Sequence, residues 1–317
     1  ALVLVASIEK AAARLRQQAQ SANIPPFAKA LARCIASQAL ELSRRGEAPS
    51  RAESLLALAR RVISDARKGR ALQPPVALKT GQGVILANTD MLLAFAKRGG
   101  QVFLSALRSV KADRSLLSAP KPGPIFKINL LRGSELFSLT AASARKVELS
   151  ASQKAGRAAA ELVFERLAAS GRTEIESAAV TVELSATGPS FWRASFEGFQ
   201  GSLRLHSLEF PILQGLCAEG AQVAASRHTG RLLQAEGLRY TATYPSASAT
   251  MQFFALCNGP ACLYFAAHDP QARTKQFSVA PDQQPAAVSF SHVAFPEGML
   301  AHHENYRLPY PVAVGAI

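Results

Sequence analysis

A short segment in the C-terminal third of the chain combines an imidazole, a carboxylate and an ammonium group. His268-Asp269-Pro270 follows an apolar stretch, and Lys275 comes shortly after it. Asp before Pro favours a turn, and loops at strand ends often carry function. We therefore expect His268, Asp269 and Lys275 to form a polar cluster that binds the hydroxyl groups of a ligand such as a sugar or docks another domain.

Aromatic side chains are the second group of candidates, because a sugar-binding surface usually presents aromatic faces. Aromatic residues make up only 7% of the chain, and Trp192 is its single tryptophan. This scarcity argues against a stand-alone lectin. Trp192 and Tyr244 are nevertheless predicted to contact a ligand or a docked domain, and their presence with Tyr240 on one face would favour a carbohydrate-binding module.

Other types of chemistry find little support in the sequence. His302-His303-Glu304 lacks the H-E-x-x-H spacing of a zinc site and is interpreted as a solvated loop. No G-x-S-x-G, P-loop or G-x-G-x-x-G motif occurs. Glu183 and Glu209 are interpreted as solvent-facing members of alternating strands. We therefore predict no catalytic residue, no metal and no cofactor in this chain.

The four cysteines leave two alternatives open. Cys257 and Cys262 flank Asn258-Gly259-Pro260, a short turn that could bring their thiols together as a disulfide. Free thiols are the equal alternative. No second pair has a matching spacing, which argues against zinc.

The net charge of +14 raises the question of nucleic acid. The densest basic groups, Arg44-Arg45, Arg60-Arg61 and Arg67-Lys68-Arg70, fall on predicted helices without interleaved aromatic residues. They are interpreted as solvated helix faces and as cations that complement helix dipoles. We predict that the protein does not bind nucleic acid.

The ends of the chain bear on its location. No stretch of about 18 apolar residues occurs, so no membrane span is predicted. The apolar segment 1–6 either ends a signal peptide or opens a helix. The chain does not begin with methionine and ends within the apolar run 312–317, and it is interpreted as a fragment.

Residues 1–72 predict a helical segment of about three helices. Leucine, isoleucine and alanine recur there at helical spacing. Ser50 and Glu53 have the spacing of a capping box, and Gly46 and Gly69 are predicted to end helices.

The pattern from residue 76 to about residue 308 has a period of two, which is typical of strands. Val180, Val182 and Leu184, for example, alternate with polar residues. About a dozen strands with intervening turns predict a mainly β fold, a sandwich or a barrel. Only Gln222 to Leu233 favours a helix.

Several blocks of this β region resemble a known family. They are Ala87-Asn88, Leu92-Leu93-Ala94-Phe95, Leu208-Glu209-Phe210-Pro211-Ile212-Leu213-Gln214-Gly215, Tyr244-Pro245-Ser246, Met251-Gln252-Phe253-Phe254-Ala255-Leu256, Leu263-Tyr264-Phe265-Ala266-Ala267-His268-Asp269-Pro270 and Lys275. The family is a group of large bacterial glycoside-hydrolase-like proteins in which a galactose-mutarotase-like supersandwich precedes a (β/α)₈ barrel. The resemblance covers about residues 76–317.

The resemblance implies a large antiparallel β-supersandwich over residues 76–308. It also implies that residues 309–317 begin the barrel, because Pro309-Tyr310-Pro311-Val312-Ala313-Val314-Gly315 is similar to a first barrel strand. Catalytic groups would then lie in the barrel, and this chain alone would be an inactive accessory piece of a secreted or periplasmic glycoside hydrolase. Its partners would be a carbohydrate and the missing C-terminal barrel, which the loop of His268, Asp269 and Lys275 would face.

Three alternatives remain open. A stand-alone carbohydrate-binding module would present aromatic and polar groups on one face. A polysaccharide lyase would need far more helix and a catalytic Tyr or His between helices and sandwich. A mutarotase would need a His and Glu pair, for which His206, His228, His268 and His292 are the histidines of the β region.

Overall fold

A computed structural model describes residues 2–21, 23–45, 49–70, 72–81, 83–118, 122–284, 286–298 and 302–317. Gly46, the predicted end of a helix, lies outside them. Three α-helices occur in these ranges: α1 (Leu2–Gln18), α2 (Pro26–Arg44) and α3 (Pro49–Arg67).

The same ranges contain 21 strands, which together with the three helices confirm the mainly β prediction. The first five are β1 (Val76–Thr80), β2 (Gly83–Ala87), β3 (Met91–Arg98), β4 (Gln101–Ser109) and β5 (Arg114–Ser115). The next seven are β6 (Lys127–Arg132), β7 (Glu135–Thr140), β8 (Ala144–Lys154), β9 (Arg157–Ala169), β10 (Arg172–Ser185), β11 (Ser190–Phe199) and β12 (Arg204–Cys217). The last nine are β13 (Gln222–Ala225), β14 (Arg231–Gln234), β15 (Tyr240–Tyr244), β16 (Phe253–Asn258), β17 (Ala261–Ala267), β18 (Lys275–Pro281), β19 (Ala287–Ala294), β20 (Asn305–Arg307) and β21 (Val312–Ala316).

The strands form three antiparallel sheets. The N-terminal sheet has the order β1-β2-β3-β4-β5. The large sheet has ten strands in the order β14-β13-β16-β17-β21-β11-β10-β9-β8, with β20 also paired to β11. The small sheet has six in the order β15-β18-β19-β12-β6-β7.

The N-terminal sheet is buried on both faces. Along β2 every residue is buried: Val84 and Leu86 join the sandwich core, whereas Ile85 and Ala87 join a separate apolar cluster with the helices. The helices therefore form an outer layer on this sheet.

The helix boundaries differ slightly from the predicted ones. Helix α3 begins at Pro49, so Ser50 lies in its first turn and does not cap it. Proline suits this position because its missing N–H has no partner in a first turn. Gly69 follows the helix with a φ of +69°, which confirms the predicted glycine end.

Helix α1 includes the apolar segment that the sequence left ambiguous. The helix starts at Leu2, and Ile8, Ala12 and Leu15 are buried against the helical layer. Among the helices described, none combines the length and the apolar character that crossing a bilayer requires.

The sandwich core lies between the inner faces of the large and small sheets, with the N-terminal sheet closing one side. Phe126, just before β6, packs edge-on against Phe164 of β9 and Phe196 of β11, with ring centroids 5.2 and 5.3 Å apart. Such edge-to-face pairs add to the stabilisation from buried area.

The predicted helix between Gln222 and Leu233 is wrong. The segment forms the hairpin β13–β14, in which Val223 pairs with Leu233. Val223 and Ala225 are buried while Gln222 and Ala224 are partly exposed. This alternation has a period of two, which the alanines obscure because they fit either structure.

The assignment of residues 309–317 to a barrel is also corrected. Strand β21 lies inside the large sheet, with Trp192 of β11 opposite Val312 and Leu263 of β17 opposite Ala316. The sandwich therefore extends beyond residue 308, because both neighbours of β21 need its backbone groups to complete their hydrogen bonding.

The hairpin β16–β17 settles the open question about two cysteines. Cys257 and Cys262 are direct cross-strand partners and form a disulfide. Gly259 makes the turn with a φ of +60°. Cys34 is a buried free thiol, and burial raises its pKa to about 12.

Candidate functional site

Two of the predicted site residues form a buried ion pair. Asp269 follows β17, and Lys275 is the first residue of β18. The Lys275 ammonium donates to Oδ2 of Asp269 at 2.8 Å, and both side chains are 0% exposed. A second hydrogen bond of 2.8 Å joins the ammonium to Oε1 of Gln252.

The Asp269 carboxylate is fully hydrogen-bonded. Oδ2 also accepts from the backbone N–H of Arg273 at 2.7 Å, and Oδ1 accepts from the Arg273 guanidinium at 2.9 Å and from the Gln271 backbone at 3.1 Å. Burial acts to raise the pKa of this carboxyl, but the hydrogen bonds from Lys275, Arg273 and Gln271 outweigh it and hold the pKa below its usual range. Asp269 is therefore a charged structural anchor of its loop.

Two aromatic rings enclose the Lys275 ammonium. Its Nζ lies 5.0 Å from the ring centroid of Tyr244, its cross-strand partner, and 4.9 Å from that of Tyr310. Burial lowers the pKa of Lys275, and the Asp269 partner opposes this shift. Tyr244 belongs to the small sheet, and Tyr310 lies two residues before β21 of the large sheet. This buried cluster therefore joins the two sheets, and its charged groups are used within the fold.

His292 borders the buried cluster. Its Nδ1 lies 2.8 Å from the carbonyl of Phe210, and its Nε2 lies 3.2 Å from the hydroxyl of Tyr310. A carbonyl only accepts, so Nδ1 carries the proton and Nε2 accepts from Tyr310. Burial lowers the pKa of His292 to about 4, and the ring is neutral near pH 7.

The remaining predicted site residues do not form one site. Trp192 is completely buried between Phe95 and Phe210, and its indole N–H donates to the Ser190 hydroxyl at 2.9 Å. This corrects the expectation that its ring contacts a ligand or a docked domain. Tyr244 is half-buried, and the Lys275 ammonium covers one face of its ring.

His268 points the other way from Asp269 and is exposed. Its Nε2 lies 3.3 Å from the hydroxyl of Tyr264, and its ring lies 5.3 Å from that of Phe191. These residues belong to the outer face of the large sheet, which we define as the face formed by the side chains that alternate with the buried core residues.

The outer face has an apolar half over β13, β14, β16, β17 and β21, which extends onto the adjoining end of β11. Cross-strand pairing brings its side chains into rows; for example, Leu232 lies opposite Ala224, Ala224 opposite Ala255, and Ala255 opposite Tyr264. Leu232 is 65% exposed. Phe191, Phe253 and Tyr264 are its half-buried aromatic members, and the disulfide lies on the same half.

The other half of the outer face contains a polar groove of about 520 Å³ over β10, β11 and β20. Its charged lining side chains are Glu183, Arg193, Glu197 and Arg307. Within the described ranges none of these four side chains makes a hydrogen bond or an ion pair. Two carboxylates and two guanidiniums are therefore available to a ligand.

The groove was not predicted from the sequence. Glu183 was considered and assigned to solvent, whereas Arg193 and Arg307 were not singled out. Ser195 pairs with Arg307 across a chain separation of more than a hundred residues, and a single sequence contains no sign of that pairing. Alternation along β11 was the available signal, since it places Arg193 on the face opposite Trp192.

The histidines near the C-terminus do not assemble a metal site. Nε2 of His302 lies 2.6 Å from the backbone carbonyl of Gly201, which occupies that nitrogen. Across the ranges that the structure covers, no group of three or more His, Cys, Asp or Glu side chains is placed to hold a metal ion.

No protein-family model matches the chain, and no curated protein sequence matches it. Its fold is similar to that of galactose 1-epimerase from Lactobacillus acidophilus, with a TM-score of 0.52 and 9% identity over 76% of this chain and 97% of that one. An α-N-acetylgalactosaminidase from Bifidobacterium bifidum gives 0.49 and 9% over 76% of this chain, which spans only 36% of that enzyme. An α-mannosidase from Enterococcus faecalis gives 0.44 and 9% over 74% of this chain and 29% of that enzyme. The likeness to the epimerase shows that the β region has a galactose-mutarotase-like β-sandwich fold.

Proposed function

We propose that this chain is a carbohydrate-associated accessory β-sandwich of a secreted or periplasmic glycoside hydrolase. The outer face of the large sheet would be its working surface. The polar groove would bind sugar, and the apolar half would pack against a catalytic (β/α)₈ barrel. The fold shared with a sugar epimerase supports a carbohydrate-associated role by analogy only. The proposal depends on the residues of the outer face.

The observation that carries the proposal is that aromatic side chains and unpaired charged side chains are neighbours on one sheet face. Glu183 of β10 pairs with Phe191 of β11, so the groove begins where the aromatic patch ends. Sugar rings expose C–H faces that pack on aromatic side chains and hydroxyls that need planar hydrogen-bonding partners. A few directed polar groups beside an apolar surface are what such ligands require.

The apolar half supports the docking part of the proposal. Leu232 and Ile317 are 65% and 62% exposed, and Met251 is 49% exposed. Large apolar side chains exposed on one sheet face favour an interaction site there. His268 lies at its border with Phe191, which keeps this residue as a candidate for domain docking.

The Cys257–Cys262 disulfide supports a location outside the cytoplasm. Disulfides persist in oxidising compartments and are rare in the cytosol of most cells.

The alternatives draw less support from the structure. The groove between α2 and β4, where a lyase would need a Tyr or a His, is lined by residues such as Arg33, Gln38 and Arg108 and by neither of those types. No histidine in the described part hydrogen-bonds to a carboxylate, so no observation supports the acid–base pair of a mutarotase. A stand-alone binding module shares the polar groove and differs only in lacking a docked barrel.

The sugar-binding part is tested by calorimetric titration with galactose, N-acetylgalactosamine and mannose oligosaccharides. Glu183→Gln/Arg193→Gln should weaken binding by at least about tenfold, because each side chain offers hydrogen bonds to hydroxyls. The matched control Glu135→Gln/Arg231→Gln removes the same charges at exposed sites away from the groove and should bind as the wild type does. Equal affinity in all three proteins would refute sugar binding at the groove.

The docking part is tested by reading the gene beyond codon 317. A continuing frame of about 250 residues of alternating strands and helices would support the accessory module. A stop codon would refute it and leave the stand-alone binding module, which the titration tests separately.

A further inference from the structure

The helical layer carries most of the excess positive charge of the protein. Residues 1–72 contain 13 lysines and arginines against 5 acidic residues, a net charge of +8 out of +14 for the whole chain. The sandwich fold and its outer face give this charge no role.

Two groups of basic residues in the layer can be compared. Those of the first group are engaged in the packing of the helices: Arg33 pairs with Asp113 at 2.6 Å, Arg44 with Glu9 at 3.0 Å, and Arg16 donates to Ser37 at 3.3 Å. Their charges are explained by the fold.

The second group lies at the C-terminal half of α3 and directly after its end, and it is exposed. Arg60, Arg61, Arg67 and Lys68 occupy positions separated by one or seven residues, so they share one side of the helix. The opposite side is buried through Leu55, Leu56, Ala59, Val62, Ile63 and Ala66. We call these four residues the basic face.

The fold does not account for the basic face. Its one ion pair in the described structure is a loose one, with 3.6 Å between Arg61 and Asp65, and the Arg61 side chain is 81% exposed. The helix dipole favours cations only in the last turn, which covers Arg67 and Lys68 but not Arg60 and Arg61.

We propose that the basic face binds an acidic polysaccharide. Guanidinium groups match the geometry of carboxylates and bind them with two parallel hydrogen bonds. The two arginines at 60 and 61 lie about 10 Å from the pair at 67 and 68 along the helix axis, a distance comparable to two linked sugar residues. One uronic acid polymer can therefore contact both ends of the face.

Two other polyanions fit the face less well. An anionic membrane surface needs apolar side chains that enter it, and α3 exposes none of its large apolar residues. A single-stranded nucleic acid needs aromatic rings on which bases stack, and α3 contains no aromatic residue.

The test is binding of polygalacturonate by calorimetry at two salt concentrations. The variant Arg60→Gln/Arg61→Gln/Arg67→Gln/Lys68→Gln should lose affinity by at least about tenfold, because polyanion binding depends on these charges. Its Tm should be nearly unchanged, because the four side chains are exposed and their one ion pair is loose. The control Lys154→Gln/Arg157→Gln/Arg231→Gln/Arg239→Gln removes the same charge from exposed sites on the sandwich and should bind within about twofold of the wild type.

Three outcomes would overturn the proposal. Equal loss in both variants would show an effect of net charge alone, and no loss in the α3 variant would exclude the basic face. Tighter binding to anionic lipid vesicles or to DNA than to polygalacturonate at equal charge would assign another partner. Titration with neutral sugars is independent of this result, because the groove and the basic face lie on different layers.

Discussion

The protein has two clusters of charged side chains that differ in one respect. In the buried cluster, Asp269, Arg273 and Lys275 satisfy one another within 3 Å. In the polar groove, Glu183 and Arg193 make no side-chain contact with a partner in the described structure. A buried charge without a partner costs much free energy, whereas an exposed charge needs no partner because water solvates it. Pairing therefore marks the first cluster as part of the fold and leaves the second free for a ligand.

The largest effect is expected from breaking the buried cluster. Lys275→Met leaves the Asp269 carboxylate buried with an incomplete set of partners and should reduce the free energy of unfolding by about 3–5 kcal/mol. Urea unfolding followed by circular dichroism measures it. The double variant Asp269→Asn/Lys275→Met should cost less than the sum of the two single variants, since it removes both charges. A loss below about 1 kcal/mol for Lys275→Met would contradict the structural role.

A smaller effect is expected from pH at the edge of the same cluster. His292 has a pKa of about 4 in the folded protein against 6.5 ordinarily, so below pH 6.5 the unfolded chain binds a proton that the folded one refuses. Stability should therefore fall as the pH drops from 7 towards 4, by on the order of 2 kcal/mol at pH 5. His292→Gln keeps a donor and an acceptor but does not titrate. If its stability between pH 7 and pH 5 falls as much as that of the wild type, His292 is not the cause.

Removing the covalent link of the outer face should have a comparable effect. Cys257→Ala/Cys262→Ala opens a loop closed over a sequence separation of 5, and the chain-entropy argument gives a loss of about 2 kcal/mol. Differential scanning calorimetry measures it. Cys34→Ala/Cys217→Ala is not a suitable control because Cys34 is buried. Chemical reduction of the wild-type disulfide is the better control and should lower stability by the same amount.

The smallest effect on stability is expected at the polar groove. Arg193→Gln/Arg307→Gln should change the free energy of unfolding by less than about 0.5 kcal/mol, because both side chains are unpaired and partly or fully exposed. Urea unfolding at pH 7 checks this. A loss as large as that of Lys275→Met would show that the groove arginines stabilise the fold, as the buried cluster does.

Local pattern predicted much of the fold. The three helices, the mainly β region and the turn at Gly259 were read from periodicity and turn residues, which depend on neighbours in the chain. The helix expected over 222–233 was wrong because the local pattern there is ambiguous: alanines fit a helix and a strand equally well. Membership of β21 in the large sheet depends on strands far away in sequence.

The candidate site was less predictable. Asp269 and Lys275 were recognised together, but as groups that bind a ligand. The sequence alone does not show that two charged residues are buried as a hydrogen-bonded ion pair. Arg193 and Arg307 line the same groove only because β20 pairs with β11.

The sequence by itself determined which side chains share a strand face, because successive residues of a strand always point in opposite directions. On β11 it separated Phe191 from Trp192. Only the tertiary structure decided which of the two is buried, because both faces of β11 carry an aromatic residue and the covering sheet comes from distant segments. That choice left Phe191 on the outer face, opposite Glu183 of the groove, and made Trp192 part of the core.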